Sequence, residues 1–190
     1  MPRLLELAQM AKSANINFCI DAEEADRLRL SLEVLHQLSA EESLKNWDGL
    51  GLAVQAYSKR AGDVIDAVKS IANSHNRRFM VRLVKGAYWD TEVKRAQLGG
   101  RSDFPVFTTK PATDVSYLHN AFKMVNSSKE IYPQFATHNA LTLSTIYTWA
   151  QQAGISDYEF QCLHGMGEPL YEQVVGKVSE RSEERRVGKE

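Results

Sequence analysis

The stretch Met80-Val81-Arg82-Leu83-Val84-Lys85-Gly86-Ala87-Tyr88-Trp89 places two cations, a glycine and two aromatics in and just after an apolar run. A cation inside a core strand is tolerated when it is paired or faces a ligand. Gly86 permits a close backbone approach, and Tyr88 and Trp89 can flank a flat group. Together they imply a strand whose C-terminal end opens onto an anionic, planar ligand. Arg82 and Lys85 are three apart and face opposite sides of an ideal strand, although a bend at Gly86 relaxes this for Lys85. Arg82 suits the stabilisation of negative charge on a reduced ring or a substrate. Its alternative is an interior salt bridge, with Asp21 as partner.

Other polar residues fall at or just after strand ends. Asp21 opens Asp-Ala-Glu-Glu-Ala-Asp and reads either as a helix N-cap or as a carboxylate at a cavity mouth. Gln55 interrupts an apolar strand, so its amide is either satisfied within the protein or turned to a ligand. Thr108, Thr109, Lys110 and Thr113 precede a helix start, where hydroxyls, a lysine and free N–H groups make a phosphate cradle or a solvated loop with a Thr cap. Thr137-His138-Asn139 ends a strand and opens a helix. His138 is a proton carrier or ligand contact in one reading and part of a capping pair in the other. His36, His75 and His119 read as surface residues. No two histidines share a metal-like spacing with a carboxylate, so no metal is expected.

The elements that must position these residues alternate short apolar strands with amphipathic helices. Strands are expected at Ile16–Ile20, Gly51–Ala56, Phe79–Val84, Gln134–His138 and Tyr158–Leu163. Helical stripes follow: Ala25, Leu28, Leu32 and Leu35; Val64, Val68 and Ile71; Val93, Ala96 and Leu98; Val115, Leu118, Phe122 and Val125; then Leu141 to Ala150 and a short helix at Leu170 to Val175. Phe104–Pro111 reads as a loop, since Pro105 and Pro111 oppose a central strand. Five βα units predict an α/β fold with a parallel sheet. Asp21, Gln55, Lys85, His138 and His164 give every strand end one polar residue. That pattern favours part of a (βα)8 TIM-like barrel, whose strand ends share one mouth, over a doubly wound sheet with a single switch point.

Bulk properties set bounds. The chain has 190 residues, 43% hydrophobic and 25% charged, with a net charge of −1, so no charge bias points to nucleic acid or an anionic membrane. Cys19 and Cys162 lie in apolar runs and read as reduced core thiols of a cytoplasmic protein. Residues 179–190 carry four acidic and four basic residues with no apolar stripe, and are expected to be a disordered or non-native tail on a 1–178 domain.

Five segments in order resemble one family: Asp21 to Leu28, Arg82 to Trp89, Thr108-Thr109-Lys110 with Thr113 to Leu118, Ala136 to Asn139, and Phe160 to Gly167. They are similar to the flavin-dependent proline dehydrogenase domain of the bifunctional bacterial proline utilization A family. The resemblance implies a distorted (βα)8 barrel holding FAD, with this chain spanning strands 3 to 7. It implies oxidation of L-proline to Δ1-pyrroline-5-carboxylate by hydride transfer to the flavin N5. Electrons would then pass to a membrane quinone, with peripheral membrane association and an aldehyde dehydrogenase domain in the parent protein.

Carried over by motif, Arg82 would lie near the flavin N5, with Lys85, Asp21 and Tyr88 as its catalytic neighbours. Gln55, Val84, Gly86, Ala87 and Trp89 would contact the isoalloxazine and ribityl region. Thr108, Lys110 and Thr113 would hold the phosphates and adenosine end, and Thr137, His138, Asn139, Gln161 and Cys162 would complete the cofactor site. Asp21, Tyr88 and Leu163 would line the proline pocket. The family's arginine pair for the proline carboxylate and its active-site lysine from an earlier strand have no match here, so weak or absent turnover is expected of the isolated chain. The rivals are a Schiff-base barrel lyase with Lys85 as nucleophile, and a non-catalytic binding or assembly remnant.

Overall fold

The computed structural model describes residues 1–174 and, for their backbone, 185–187. After helix α1 (Pro2–Ser13) come β1 (Phe18–Ile20), α2 (Leu28–Ala40), β2 (Leu50–Gln55), α3 (Ala61–His75), β3 (Phe79–Val84), α4 (Trp89–Leu98), α5 (Lys110–Val125), β4 (Ile131–Ala136), α6 (Ala140–Ala153), β5 (Glu159–Leu163), α7 (Glu168–Val174) and β6 (Arg185–Val187). The strands form one parallel sheet whose spatial order, β1-β2-β3-β4-β5-β6, is also the chain order. The sheet curls into a half-barrel flanked by helices, as the partial barrel reading expects. Among the described residues it has two edges, β1 and β6. The strand β6 falls where sequence shows only a charged tail; residues 175–184 and 188–190 lie outside the described residues.

Strand alternation divides the sheet into two chemistries. Val54, Leu83, Phe135 and Phe160 are in register across four strands and belong to the core beneath the helices. Phe135, Tyr158 and Phe160 pack there with ring centroids 5.7–6.3 Å apart. The opposite, concave face carries a different row: Ala53, Arg82, Gln134 and Glu159. Parallel strands covered on both faces are usually apolar on both. Here one face is polar, which marks the concavity as the place where a ligand or water must be accommodated.

Several boundaries and faces differ from expectation. The β4 strand starts at Ile131 and includes Pro133, but β5 pairs with it only from Gln134 onward, so Pro133 sits where the strand is locally an edge. The α2 helix starts at Leu28 after a 3-10 turn over Ala25–Arg27, not near Ala22. The α5 helix begins at Lys110 with Pro111 in its first turn, where proline is tolerated. Its buried face is Tyr117, Asn120, Ala121, Met124 and Val125, whereas Val115 and Phe122 are exposed. Two i,i+3/i+4 stripes compete on this helix. The winner carries Tyr117, whose hydroxyl lies 2.9 Å from Ala136 O and 3.3 Å from Leu83 O and so fixes the helix under two strand ends. On α4, Ala96 is buried as expected, but Leu98 is exposed and Glu92 is buried instead.

Gly51 on β2 lies close against the backbone of β3. A Cβ there would stand 2.1 Å from Met80 O, a backbone atom that cannot move aside cheaply. Gly51→Ala is therefore expected to destabilise the fold by about 2 kcal/mol or more. Gly62→Ala, on α3, would place its Cβ 3.6 Å from Asn120 Oδ1 and should stabilise by roughly 0.5–1 kcal/mol through helix propensity. Urea unfolding of both variants checks the pair; effects of the same sign would refute this packing account.

Candidate active site

Arg82 projects from the concave face of β3 and donates from Nη2 to Asp21 Oδ1 at 2.7 Å. The Arg82 side chain is 18% exposed and the Asp21 side chain 76%. A pair so open on one side adds little stability, about 0–1 kcal/mol, so its role is to aim the guanidinium. Asp21 is not a helix N-cap: its Oδ1 accepts from the adjacent Ala22 N–H at 2.9 Å, and the chain stays extended through Glu24.

The loop carrying Asp21 is held from several directions. Gln55 donates from Nε2 to Glu23 O at 2.7 Å and accepts at Oε1 from Ala87 N at 3.1 Å, so one amide joins the loops after β1 and β3. The buried carboxylate of Glu92 on α4 accepts from Ala25 N at 2.5 Å, and Arg95 pairs with Glu24 and Asp26 at 3.3 Å each. Gln55 thus makes the internal hydrogen bonds of the structural reading weighed from sequence.

Lys85 lies past the strand end and donates to Asp114 Oδ1 on α5, while Lys110 donates to Asp114 Oδ2 at 2.8 Å. Hydrogen bonds from Lys110 and then Lys85 hold the Asp114 carboxyl below the usual carboxylate range. Lys85 is therefore engaged as an ammonium donor, an arrangement unlike the free amine a Schiff-base nucleophile requires. Sequence reading missed Asp114, although its i+4 spacing from Lys110 was a usable signal. At the start of α5 the N-cap residue Thr109 makes no side-chain hydrogen bond to the first turn. Thr108 and Lys110 are exposed and Thr113 is half-buried beside that turn. The intervening segment is anchored by Trp89 Nε1 donating to Phe107 O at 3.0 Å and by Phe107 N donating to Tyr57 O at 2.8 Å.

Gly86 has φ +138, and a Cβ there would strike the Tyr57 ring at 2.5 Å. The close approach inferred from sequence is thus to an aromatic of the protein itself. Val84 lies opposite Gln55 on the concave face, and Tyr88 is half-buried as the N-cap residue of α4.

On the other side of the mouth, Thr137 is buried; its Oγ1 accepts from Asn139 N at 3.2 Å and its carbonyl accepts from Tyr171 OH at 2.8 Å. Asn139 is the N-cap of α6, accepting from Thr142 N at 3.0 Å. His138 accepts at Nε2 from Leu163 N at 2.9 Å, which assigns its proton to Nδ1 and ties β4 to β5. Alternation turns the Cys162 side chain to the helix-facing core with Phe160, away from the concave face that Gln161 and Leu163 share, which leaves its backbone as the part that can meet a cofactor.

Glu159 is the residue sequence overlooked on this face. It is 4% exposed, and its Oε1 accepts from Gln134 Nε2 at 2.8 Å and from Gln161 Nε2 at 2.6 Å. Gln161, also 4% exposed, keeps a buried Oε1 without a hydrogen-bond partner among the described residues. An unmet buried acceptor costs about 1–3 kcal/mol and calls for a donor beyond the described side chains, which do not include that of Arg185, the in-register neighbour on β6. The i,i+2 spacing of Glu159 and Gln161 on a strand was the available signal. Among the described residues no group of three or more His, Cys, Asp and Glu side chains is placed to hold a metal ion.

Comparison with known proteins agrees with this fold. The sequence profile described as proline dehydrogenase matches residues 2–187. The bifunctional protein PutA of Klebsiella aerogenes is 56% identical over 94% of the chain, and that of Escherichia coli (strain K12) 54% over 94%. The chain spans 14% of the length of each of these relatives. A solved structure of a Bradyrhizobium japonicum PutA mutant superposes with a TM-score of 0.93 at 54% identity, covering 98% of this chain and 19% of that one. PutA from Bdellovibrio bacteriovorus inactivated by N-propargylglycine gives 0.91 at 32% identity, covering 99% and 20%. With Arg82 and Asp21 paired on the concave face of a half-barrel that matches these proteins throughout, the chain belongs to the proline dehydrogenase family.

Proposed function

We propose that this chain supplies the flavin-holding strands of a barrel that oxidises L-proline to Δ1-pyrroline-5-carboxylate with FAD. The observation that carries the reading is the Arg82 guanidinium, aimed by Asp21 on a polar concave face. Two features suit FAD: the uncapped start of α5 beside Lys110, which fits phosphates, and the orphaned Gln161 Oε1, which fits a donor on the ring or ribityl chain. When bound, FAD would supply the two-electron acceptor for the hydride leaving the carbon beside the proline nitrogen.

The protein's own share is to bind, orient and polarise. Arg82 would stabilise negative charge as it develops beside it. Asp21, Tyr88 and Leu163 would line the proline pocket, with Lys85 held at its rim by Asp114. Gln55, Val84, Gly86, Ala87 and Trp89 would face the ring and ribityl region. Thr108, Lys110 and Thr113 would hold the phosphates, where Lys110 would exchange its Asp114 contact for an anion. Thr137, His138, Asn139 and Gln161 would close the far side. In the parent protein the electrons would pass to a membrane quinone through peripheral membrane association, and the product to an aldehyde dehydrogenase domain. With the sheet open at both edges among the described residues, turnover by the chain alone would be weak or absent.

Titrating the purified chain with FAD should quench flavin fluorescence and give a protein-bound visible band; an unbound spectrum throughout would sink the reading. Arg82→Met should lower the reduction potential of the bound flavin by about 30 mV or more, since 30 mV is roughly 1.4 kcal/mol for a two-electron couple. An unmoved potential would place the guanidinium away from the ring.

Asp114 gives a pH prediction. Its folded pKa is depressed, so its contribution to stability is complete above the unfolded value of about 4 and is lost as pH falls below it. The stability difference between the parent chain and Asp114→Asn should therefore shrink below about pH 4. Thermal midpoints between about pH 3 and 6 would show it, and a constant difference would refute the lysine clamp.

A further inference from the structure

We propose that Glu159 is a positioning residue, fixing the Gln161 amide so that its carbonyl oxygen accepts a hydrogen bond from FAD. The inference rests on the flavin reading above and adds to it a residue that touches no cofactor itself. An ionised carboxylate only accepts, whereas an amide has a donor end and an acceptor end. Glu159 Oε1 receives both amide nitrogens, Gln134 Nε2 at 2.8 Å and Gln161 Nε2 at 2.6 Å. Turning either amide over would bring a carbonyl oxygen against a carboxylate oxygen in a buried setting. Tyr132 OH, 3.4 Å from Glu159 Oε2, adds a weak third contact.

The direction of the bond sets what Gln161 presents. Glu159 lies two residues back along β5 on the same face, away from the mouth. It holds Nε2, and Oε1 is left without a donor among the described residues. Gln161 pairs in register with Ala136, as Gln55 pairs with Val84, so small side chains lie between two amides near the mouth of the concave face. A flavin has donors suited to such an acceptor in its imide N–H and ribityl hydroxyls; a purely accepting group would be refused. Glu159 thereby selects a donor at this point without reaching it.

The test is Glu159→Gln in the full chain, read by FAD titration and by urea unfolding without flavin. The isosteric amide can offer either end to Gln161, which is then no longer held one way. The FAD dissociation constant should rise about tenfold (about 1.4 kcal/mol) while the flavin-free unfolding midpoint holds or rises. A merely structural role would lower the affinity and the midpoint together. Gln161→Met, which removes the acceptor and leaves Glu159 in place, should weaken FAD by a similar factor, and it decides the matter if Glu159→Gln does not fold. Unchanged FAD affinity in a folded variant would mean that only buried water meets Gln161 Oε1, and would overturn the inference alone. Failure of the parent chain to take up FAD would overturn the flavin reading, and this inference with it.

Discussion

The Gln55 side chain is the joint on which the mouth depends. Its two ends reach Glu23 O and Ala87 N, so the loop bearing Asp21 and the loop following Arg82 are set by one amide. Neither loop has regular structure to hold it. Without the joint, the Asp21 loop would keep only the open Arg82 pair and the α4 contacts of Glu92 and Arg95, which act farther along the chain at Ala25, Glu24 and Asp26. A half-buried amide with two backbone partners is worth more here than the open Arg82–Asp21 pair, because backbone ties remove loop freedom while an exposed ion pair is screened.

The sheet then works as a partition. Its helix-facing side is apolar and fixes the strands; its concave side carries Arg82, Gln134, Glu159 and Gln161 in adjacent rows. Burial pushes the Tyr117 phenol well above its ordinary range, so it remains a donor wedged between the ends of β3 and β4. Tyr171 OH does the same for Thr137 O and Gln161 O at 2.8 Å each. Two phenols on the outer helices thus determine where the strand ends stop. The positions of Arg82 and Gln161 follow from packing on the side of the sheet they do not face.

Much of this was legible in the residues. Short apolar runs bounded by polar residues mark the first five strands, and one polar residue per strand end marks the mouth. What escaped has physical reasons. Glu159, between Tyr158 and Phe160, looks like an edge charge until register shows it facing two amides. The inner face of α5 is ambiguous in the sequence because two apolar stripes share the helix, and tyrosine hydrogen bonding to strands chooses between them. Gly86 announced a close contact but not its partner, since Tyr57 comes from a different strand end. Cys162 followed a motif into the site, yet strand alternation turns it the other way.

The identity of spatial and chain order in the sheet has a consequence for how the molecule is made. Among the described strands, each pairs with the one synthesised just before it, so within this sheet none waits for a partner from much later in the chain. Loop-closure costs stay modest at every step, and structure can accrete in the direction of translation. The long connection between α4 and α5 shows the tolerance that follows: it lengthens one crossover without disturbing the β3–β4 ladder. A fold assembled by successive addition can acquire such insertions at its rim while inheriting its inner rows unchanged.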